Sequence, residues 1–295
     1  MMPATELEIS PVTPTIGAMV HGVDLGKPLD EETQQALHNA WMEHLVLFFR
    51  DQTLDPASLQ TLGRGFGPLH VHPQGDMADF EGILKIYADR NSKTYAGRKW
   101  HSDVTCDLEP PLASILHMHE VPSAGGDTLF ANMFAAYDAL SQPMRAFLDG
   151  LSAMHASEHN FAGYYGTTTR ETRDGEYPAT IHPVIAAHPV TGRKALYVNE
   201  IFTTHIVDLE PSESRSLLDF LYQHINQPRF QCRFQWESGS VAMWDNRSTA
   251  HMAPRDIQQT DFDRQLFRTT SVGEIPVGVN GEKSRSLEGT PLEAI

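Results

Sequence analysis

The chain is poor in cysteine: Cys106 and Cys232 are its only two. Two thiols cannot make a disulfide framework, which excludes the small cross-linked secreted class and makes a reducing, cytoplasmic setting the expectation. Basic residues are also scarce. With 22 Lys and Arg against 38 Asp and Glu the formal net charge is −16, which argues against a nucleic-acid partner. A small anionic ligand stays open, because a few arginines inside a pocket outweigh a distant field. No apolar run approaches the length that spans a bilayer, and the opening residues lack the basic and apolar regions of a secretory leader, so no membrane contact is expected. Internal repeats and low-complexity segments are missing too. The 21 Gly and 19 Pro are spread over the whole length rather than gathered in a linker, which favours one domain over 1–295 with many turns.

Hydrophobic periodicity supplies the elements. Ile16–Leu25 reads as a strand and turn. Asp30–His44 reads as a helix, with Asp30 as N-cap and Leu37, Ala40, Trp41 and Leu45 at helical spacing. Leu45–Phe49 is a continuous apolar run suited to a strand buried on both faces. Pro56–Phe66 reads as a helix and Ala113–Val121 as a strand. Met144, Phe147, Leu148 and Leu151 form a helical stripe opened by Ser141 and Pro143, and Leu217, Leu218, Leu221, Tyr222 and Ile225 form another. Arg229–Gln235, Ser240–Trp244 and Arg264–Val272 read as strands, and the polar tail from Pro276 as irregular. Many short strands with few long helices predict a mainly β fold with flanking helices, a sandwich or jelly roll.

Against that background His101-Ser102-Asp103 stands out. On an extended segment residues i and i+2 point to one side, so both side chains could reach one metal, with His251 as the third ligand. Two imidazoles and one carboxylate on one face of an iron leave positions for a bidentate co-substrate and dioxygen. The tripeptide alone more often marks a surface loop or a local hydrogen-bonded pair. Arg264 and Arg268 lie four apart on a strand, on one face, with backbones roughly 13 Å apart at ~3.3 Å per residue. They read either as a solvated face or as two arms entering one cavity, each able to fork onto a carboxylate or sulfonate. His70-Val71-His72 and His117-Met118-His119 have metal-pair spacing without a companion carboxylate. The latter pair reads as strand histidines with satisfied hydrogen bonds, and Cys106 as a packed thiol rather than a nucleophile. Gly125-Gly126-Asp127-Thr128 is a turn signature.

Several segments together resemble the taurine/2-oxoglutarate dioxygenase family, which includes alkylsulfatase and aryloxyalkanoate dioxygenases. They are Gly22-Val23-Asp24-Leu25, Val46-Leu47-Phe48-Phe49-Arg50, Phe66-Gly67-Pro68-Leu69, Trp100-His101-Ser102-Asp103-Val104-Thr105, Pro122 to Leu129, Val198-Asn199-Glu200 and Trp244-Asp245-Asn246-Arg247. The resemblance covers nearly the whole chain and implies a double-stranded β-helix. It implies that His101, Asp103 and His251 ligate Fe(II), with 2-oxoglutarate and O2 as co-substrates. Arg264 and the Thr128 hydroxyl would hold the far carboxylate of 2-oxoglutarate. Arg268, His72 and the Val104 N–H would hold the acid group of a small anionic substrate, with Phe161 and Phe202 lining its pocket and Trp244 packed near the metal. The implied reaction hydroxylates a carbon beside that acid group, on a taurine-like sulfonate with release of sulfite, or on a sulfate ester, aryloxyalkanoate or other organic acid. A non-catalytic metal-binding acid sensor is the alternative from another class. The assembly stays open, including a homo-oligomer, dimer or tetramer. Where the taurine pattern has a tyrosine and an asparagine, this chain has Gly75 and Gly97, which predicts a roomier pocket.

Overall fold

The apolar run Val46-Leu47-Phe48-Phe49 lies at the heart of the molecule, buried along its whole length. The computed structural model describes residues 7–72, 77, 79–89, 97–156, 178–254, 263–288 and 294–295. Five helices and seventeen strands follow one another among the described residues. In order they are β1 (Glu8–Pro11), β2 (Ala18–His21), α1 (Glu31–His44), β3 (Val46–Phe49), α2 (Pro56–Arg64), β4 (Ile83–Ala88), β5 (Pro111–Glu120) and β6 (Thr128–Asn132). Then come α3 (Met133–Asp138), α4 (Gln142–Leu148), β7 (Ser152–Ala156), β8 (Ala179–Pro183), β9 (Ile185–Ala187), β10 (Lys194–Leu196), β11 (Thr203–Ile206) and α5 (Pro211–Ile225). The last strands are β12 (Gln231–Phe234), β13 (Val241–Asp245), β14 (Thr249–Met252), β15 (Arg264–Val272), β16 (Val277–Gly278) and β17 (Arg285–Glu288).

A seven-stranded sheet runs β1-β2-β3-β13-β5-β15-β4, and a three-stranded sheet runs β12-β6-β14. Alternation assigns the faces. Val46 and Phe48 of β3, Ala242 and Trp244 of β13 and Leu266 of β15 join Phe130 and Ala250 of the smaller sheet in one inner core. Leu47, Phe49, Val241, Met243 and Phe267 face the other way, onto Leu37, Trp41 and Leu59 of α1 and α2. Because helices cover one face and a second sheet the other, both sides of these strands are apolar. The result is the mainly β, helix-flanked jelly roll expected from the pattern.

Side-chain caps set the helix starts: Asp30 accepts from the Thr33 N–H, Asp55 from Ser58 and Ser141 from Met144. Some boundaries differ from expectation. The Arg229 segment opens with a 3-10 turn at Pro228–Phe230, and its strand begins at Gln231. Helix α4 stops at Leu148, leaving Phe147 49% exposed and Leu151 beyond the end, so that stripe is only partly a core face. The tail is not irregular throughout, since β16 pairs with β9 and β17 with β8. Backbone pairing on a sheet edge needs no apolar alternation, so periodicity could not mark those strands.

Behind the loop at 101–107 lies a buried polar seam. His182 donates from Nε2 toward Thr105 O (2.9 Å) and Asp107 O (3.1 Å), with Ser284 Oγ 2.7 Å from its Nδ1. His155 Nδ1 is 2.9 Å from Thr105 Oγ1, which also accepts from Asn199 Nδ2. Burial pushes His182 from 6.5 down to about 4 and His155 well below its ordinary value. Between those two pH values the unfolded chain binds the extra proton and the folded chain does not. Stability therefore falls as pH drops from 6.5 toward 4, with a limiting slope of about 1.4 kcal/mol per pH unit for each histidine. Urea midpoints should decline through this window, and His182→Asn should flatten the slope. Parallel decline in parent and variant would mean that other groups titrate.

Candidate metal and anion site

One turn and two strands bring the site together. The His101 N–H donates to His251 O and the His251 N–H to His101 O, at 3.0 and 2.7 Å. This reciprocal pair ties the loop to β14, and the Ser102 hydroxyl adds a bond to Thr249 O. Asp103 does not continue the extended segment. It enters a turn whose next residue, Val104, has φ 46. The two ligand candidates therefore converge through a turn rather than through strand alternation. A left-handed backbone is costly for a β-branched residue and persists only where the surroundings impose it, which is common at binding sites.

His101, Asp103 and His251 are all buried, and one donor atom from each lies within 4.8 Å of the others. Among the described residues no other group of three His, Cys, Asp or Glu meets that condition. The donor set fits a divalent metal. His101 Nδ1 sits 2.8 Å from Lys99 O and so carries the proton, which turns an unprotonated Nε2 inward. Burial lowers the pKa of both imidazoles, favouring the neutral, ligating form.

Asp103, 4% exposed, is the centre of a hydrogen-bond net. Its Oδ2 accepts from the Ser114 hydroxyl at 2.7 Å and its Oδ1 from Arg268 Nη1 at 2.9 Å. Burial alone would raise its pKa, but Arg268 and then the imidazoles outweigh that and hold the carboxyl well below its ordinary range. Asn246 braces the net from behind. Its Oδ1 accepts from the Asp103 N–H (3.3 Å) and Trp244 Nε1 (2.9 Å), and its Nδ2 donates to Ser114 Oγ (2.8 Å). The Trp244 ring packs 4.8 Å from the His251 ring.

Both arginines point inward and are buried, 6% exposed for Arg264 and 8% for Arg268; they do not form a solvated face. Arg264 Nε donates to Gly126 O at 3.2 Å. A Cβ on Gly126, at φ +75, would stand 3.3 Å from Arg264 Cδ, so glycine lets the guanidinium stem pass. Thr128 starts β6, with its hydroxyl accepting from Trp236 Nε1 at 3.0 Å. Val104 and Phe202 share a small buried cluster with Cys106, which is a packed thiol. His72 is near enough to Arg268 and Asp103 for their charges to act on it, though burial is the main force lowering its pKa. Phe161 and Gly75 lie outside the described residues. A Cβ on Gly97 would sit 3.2 Å from His101 Cε1 and 3.8 Å from its Nε2. Position 97 thus borders the candidate ligand His101 directly.

Sequence reasoning missed Ser114 and Asn246, whose partners lie far off in the chain, and marked His70 only as half of a His-x-His pair. Asn246 sits in the motif Trp244-Asp245-Asn246-Arg247, which was its only signal. His117 and His119 are on the helix-facing side of β5, away from the site. Only part of their expected satisfaction holds. His117 Nε2 bonds Gln52 O at 3.2 Å, whereas His117 Nδ1 and His119 Nε2 are buried without partners.

A jelly roll closing two imidazoles, one carboxylate and two arginines into its interior is the arrangement of a non-haem iron oxygenase. The family model described as "Taurine catabolism dioxygenase TauD, TfdA family" matches residues 8–270, and the chain belongs to that family. It is 35% identical to the alpha-ketoglutarate-dependent sulfate ester dioxygenase of Pseudomonas putida, covering 96% of this chain and 95% of that protein. It is 34% identical to the alkylsulfatase of Acinetobacter baylyi, over 99% and 93%. The structure of a taurine dioxygenase from Burkholderia xenovorans superposes with a TM-score of 0.83 at 40% identity, over 97% of each chain. The protein is therefore a 2-oxoglutarate-dependent dioxygenase, of a family that uses Fe(II), 2-oxoglutarate and O2.

Groups that orient metal ligands typically carry a 10- to 100-fold share of metal affinity. Ser114→Ala should weaken Fe(II) binding by about tenfold or more on that scale, read by competition against a chromophoric chelator. An unchanged affinity would mean that Arg268 and Asn246 suffice to hold Asp103.

Proposed function

We propose that the protein hydroxylates the carbon beside the acid group of a small organic sulfonate, which then releases sulfite. Its roles are assigned as the resemblance implies: His101, Asp103 and His251 hold Fe(II), Arg264 and Thr128 the far carboxylate of 2-oxoglutarate. Arg268, His72 and the Val104 N–H hold the substrate's acid group, beside Phe202 and Phe161. The observation that carries the reading is the buried pair of arginines, one on the Gly126 turn and one on Asp103. Iron with 2-oxoglutarate and O2 supplies the oxidising power for attack on a C–H bond. The chain's own residues bind, orient and exclude water. With both imidazoles neutral, a dication, Asp103, Arg264 and Arg268 sum to +3. A 2-oxoglutarate dianion and one monoanionic substrate cancel that sum, and a neutral substrate leaves it uncompensated in a buried site.

A second reading, a sulfate ester with release of sulfate, is favoured by Gly97. Gly97 puts no side chain beside His101, where a Cβ would stand 3.2 Å from the ring, and a longer substrate gains ~0.8 kcal/mol per buried CH2. The two readings share the acid group and differ in the ion released.

Arg264→Ala should weaken 2-oxoglutarate binding by roughly ten- to a hundredfold, the equivalent of 1.5–3 kcal/mol for a charge-assisted contact. Calorimetry on the iron-loaded protein measures it, and a variant that binds 2-oxoglutarate normally would put the co-substrate elsewhere. Assays along a homologous series of alkyl sulfonates and alkyl sulfates should give specificity constants that rise from taurine toward longer chains, and Gly97→Asn should reverse the trend. Sulfite against sulfate in the products decides between the readings. Failure to release either ion from any member would sink both.

A further inference from the structure

Residues 68–70 run antiparallel to the end of β15. Leu69 bridges Ser271, the His70 N–H donates to Thr270 O, and the Val272 N–H to Pro68 O. This pairing sets His70 opposite Thr270, on the inner face that Leu266 shares, while Arg268, two residues along on that face, pairs with Leu84 of β4. Farther across the sheet Thr270 faces Ser114 and Arg268 faces Leu116. Arg268 leaves its own row to reach Asp103, which also takes the Ser114 hydroxyl. Its guanidinium thereby leans over the row to which His70 belongs.

His70 is 3% exposed, and neither of its ring nitrogens has a hydrogen-bond partner. Arg268 Nε, also buried, has none either. Buried polar atoms in native proteins are satisfied by protein, water or ligand, so orphans gathered at a binding site mark where a ligand's polar atoms go. Burial, then the charge of Arg268, pushes His70 down to about 4. At neutral pH the ring is therefore uncharged, with one donor and one acceptor nitrogen.

Building on the proposed function, we propose that His70 donates a hydrogen bond to the substrate's acid group and selects head groups with three terminal oxygens, sulfonate or sulfate, over a planar carboxylate. A carboxylate offers two oxygens with lone pairs in one plane. Under the proposed function Arg268, His72 and the Val104 N–H serve the first two oxygens. A tetrahedral head group projects a third oxygen out of that plane, and its donor must come from another direction. His70 stands on the same inner face as Arg268, opposite Thr270 and near enough to feel the Arg268 charge.

The test uses the enzyme loaded with Fe(II) and 2-oxoglutarate under anaerobic conditions. Calorimetry gives dissociation constants for pentane-1-sulfonate, pentyl sulfate and hexanoate, in the parent and in H70F, H70L and H70N. H70F and H70L should lose about tenfold or more in affinity for the sulfonate and the sulfate, with hexanoate unchanged within about twofold. H70N, which keeps a donor, should recover part of the loss. Unchanged 2-oxoglutarate affinity and thermal midpoint serve as controls for folding. An equal loss for all three ligands would show that His70 only props Arg268 and His72, and no loss would show that it does not face the head group; either overturns the proposal. A measurement without substitution stands beside it. In protein labelled at histidine with 15N and loaded with Zn(II), the His70 ring resonances should move with pentane-1-sulfonate and not with hexanoate; resonances that ignore both overturn the proposal. If the parent releases neither sulfite nor sulfate from any alkyl substrate, the proposed function fails. If it releases one of them and H70F keeps the parent's selectivity, this proposal alone fails.

Discussion

A carboxylate stripped of water is the constraint from which the rest of the site follows. A buried charge is tolerated only when it is paired and hydrogen-bonded, and Asp103 recruits partners from four separate segments. Arg268 comes from β15, Ser114 from β5, Asn246 from the turn after β13, and His251 from β14. Arg268, Ser114 and His251 each fix one direction of the carboxyl group and Asn246 holds the backbone N–H, so the side chain is oriented by the two sheets rather than by its own loop. The same contacts explain why β5, β13 and β15 must lie side by side. A register slip of one residue would turn Ser114 and Arg268 away and leave the charge exposed to an apolar interior.

This arrangement makes Arg268 a shared part. It touches a candidate metal ligand on one side and is proposed to meet the substrate's acid group on the other, whereas Arg264 opens the strand, against the Gly126 turn. The two guanidiniums look equivalent in composition but differ in what surrounds them. One lies beside a carboxylate and a neutral imidazole, the other beside a glycine carbonyl. Under the proposed roles, substitution at position 268 would reach Asp103 as well as the substrate, and position 264 is the one that separates them.

Much of this was legible in the sequence wherever the cause is local. Asp30 and Ser141 announce their helices because a cap acts within three residues. The run from Leu45 to Phe49 announces a doubly buried strand because every residue in it is apolar. The metal ligands needed the family resemblance, since nothing near His251 says that it meets His101. Ser114 and Asn246 escaped notice because their partners come together only once three strands have paired. His70 was visible only as half of a His-x-His pair, because its inward direction is set by pairing with β15. The short strands β16 and β17 went unseen because edge pairing draws on backbone groups that every residue carries.

The reciprocal backbone pair between His101 and His251 carries a thermodynamic meaning as well. It joins two parts of the chain separated by roughly half its length, and no shorter fragment holds the three donors together. An ion bound by that set recognises the folded chain and has no comparable site on the unfolded one. By mass action such a ligand stabilises the fold by about 2.7 kcal/mol when present at a hundred times its dissociation constant. Iron supply would then govern how long the protein survives as well as how fast it works.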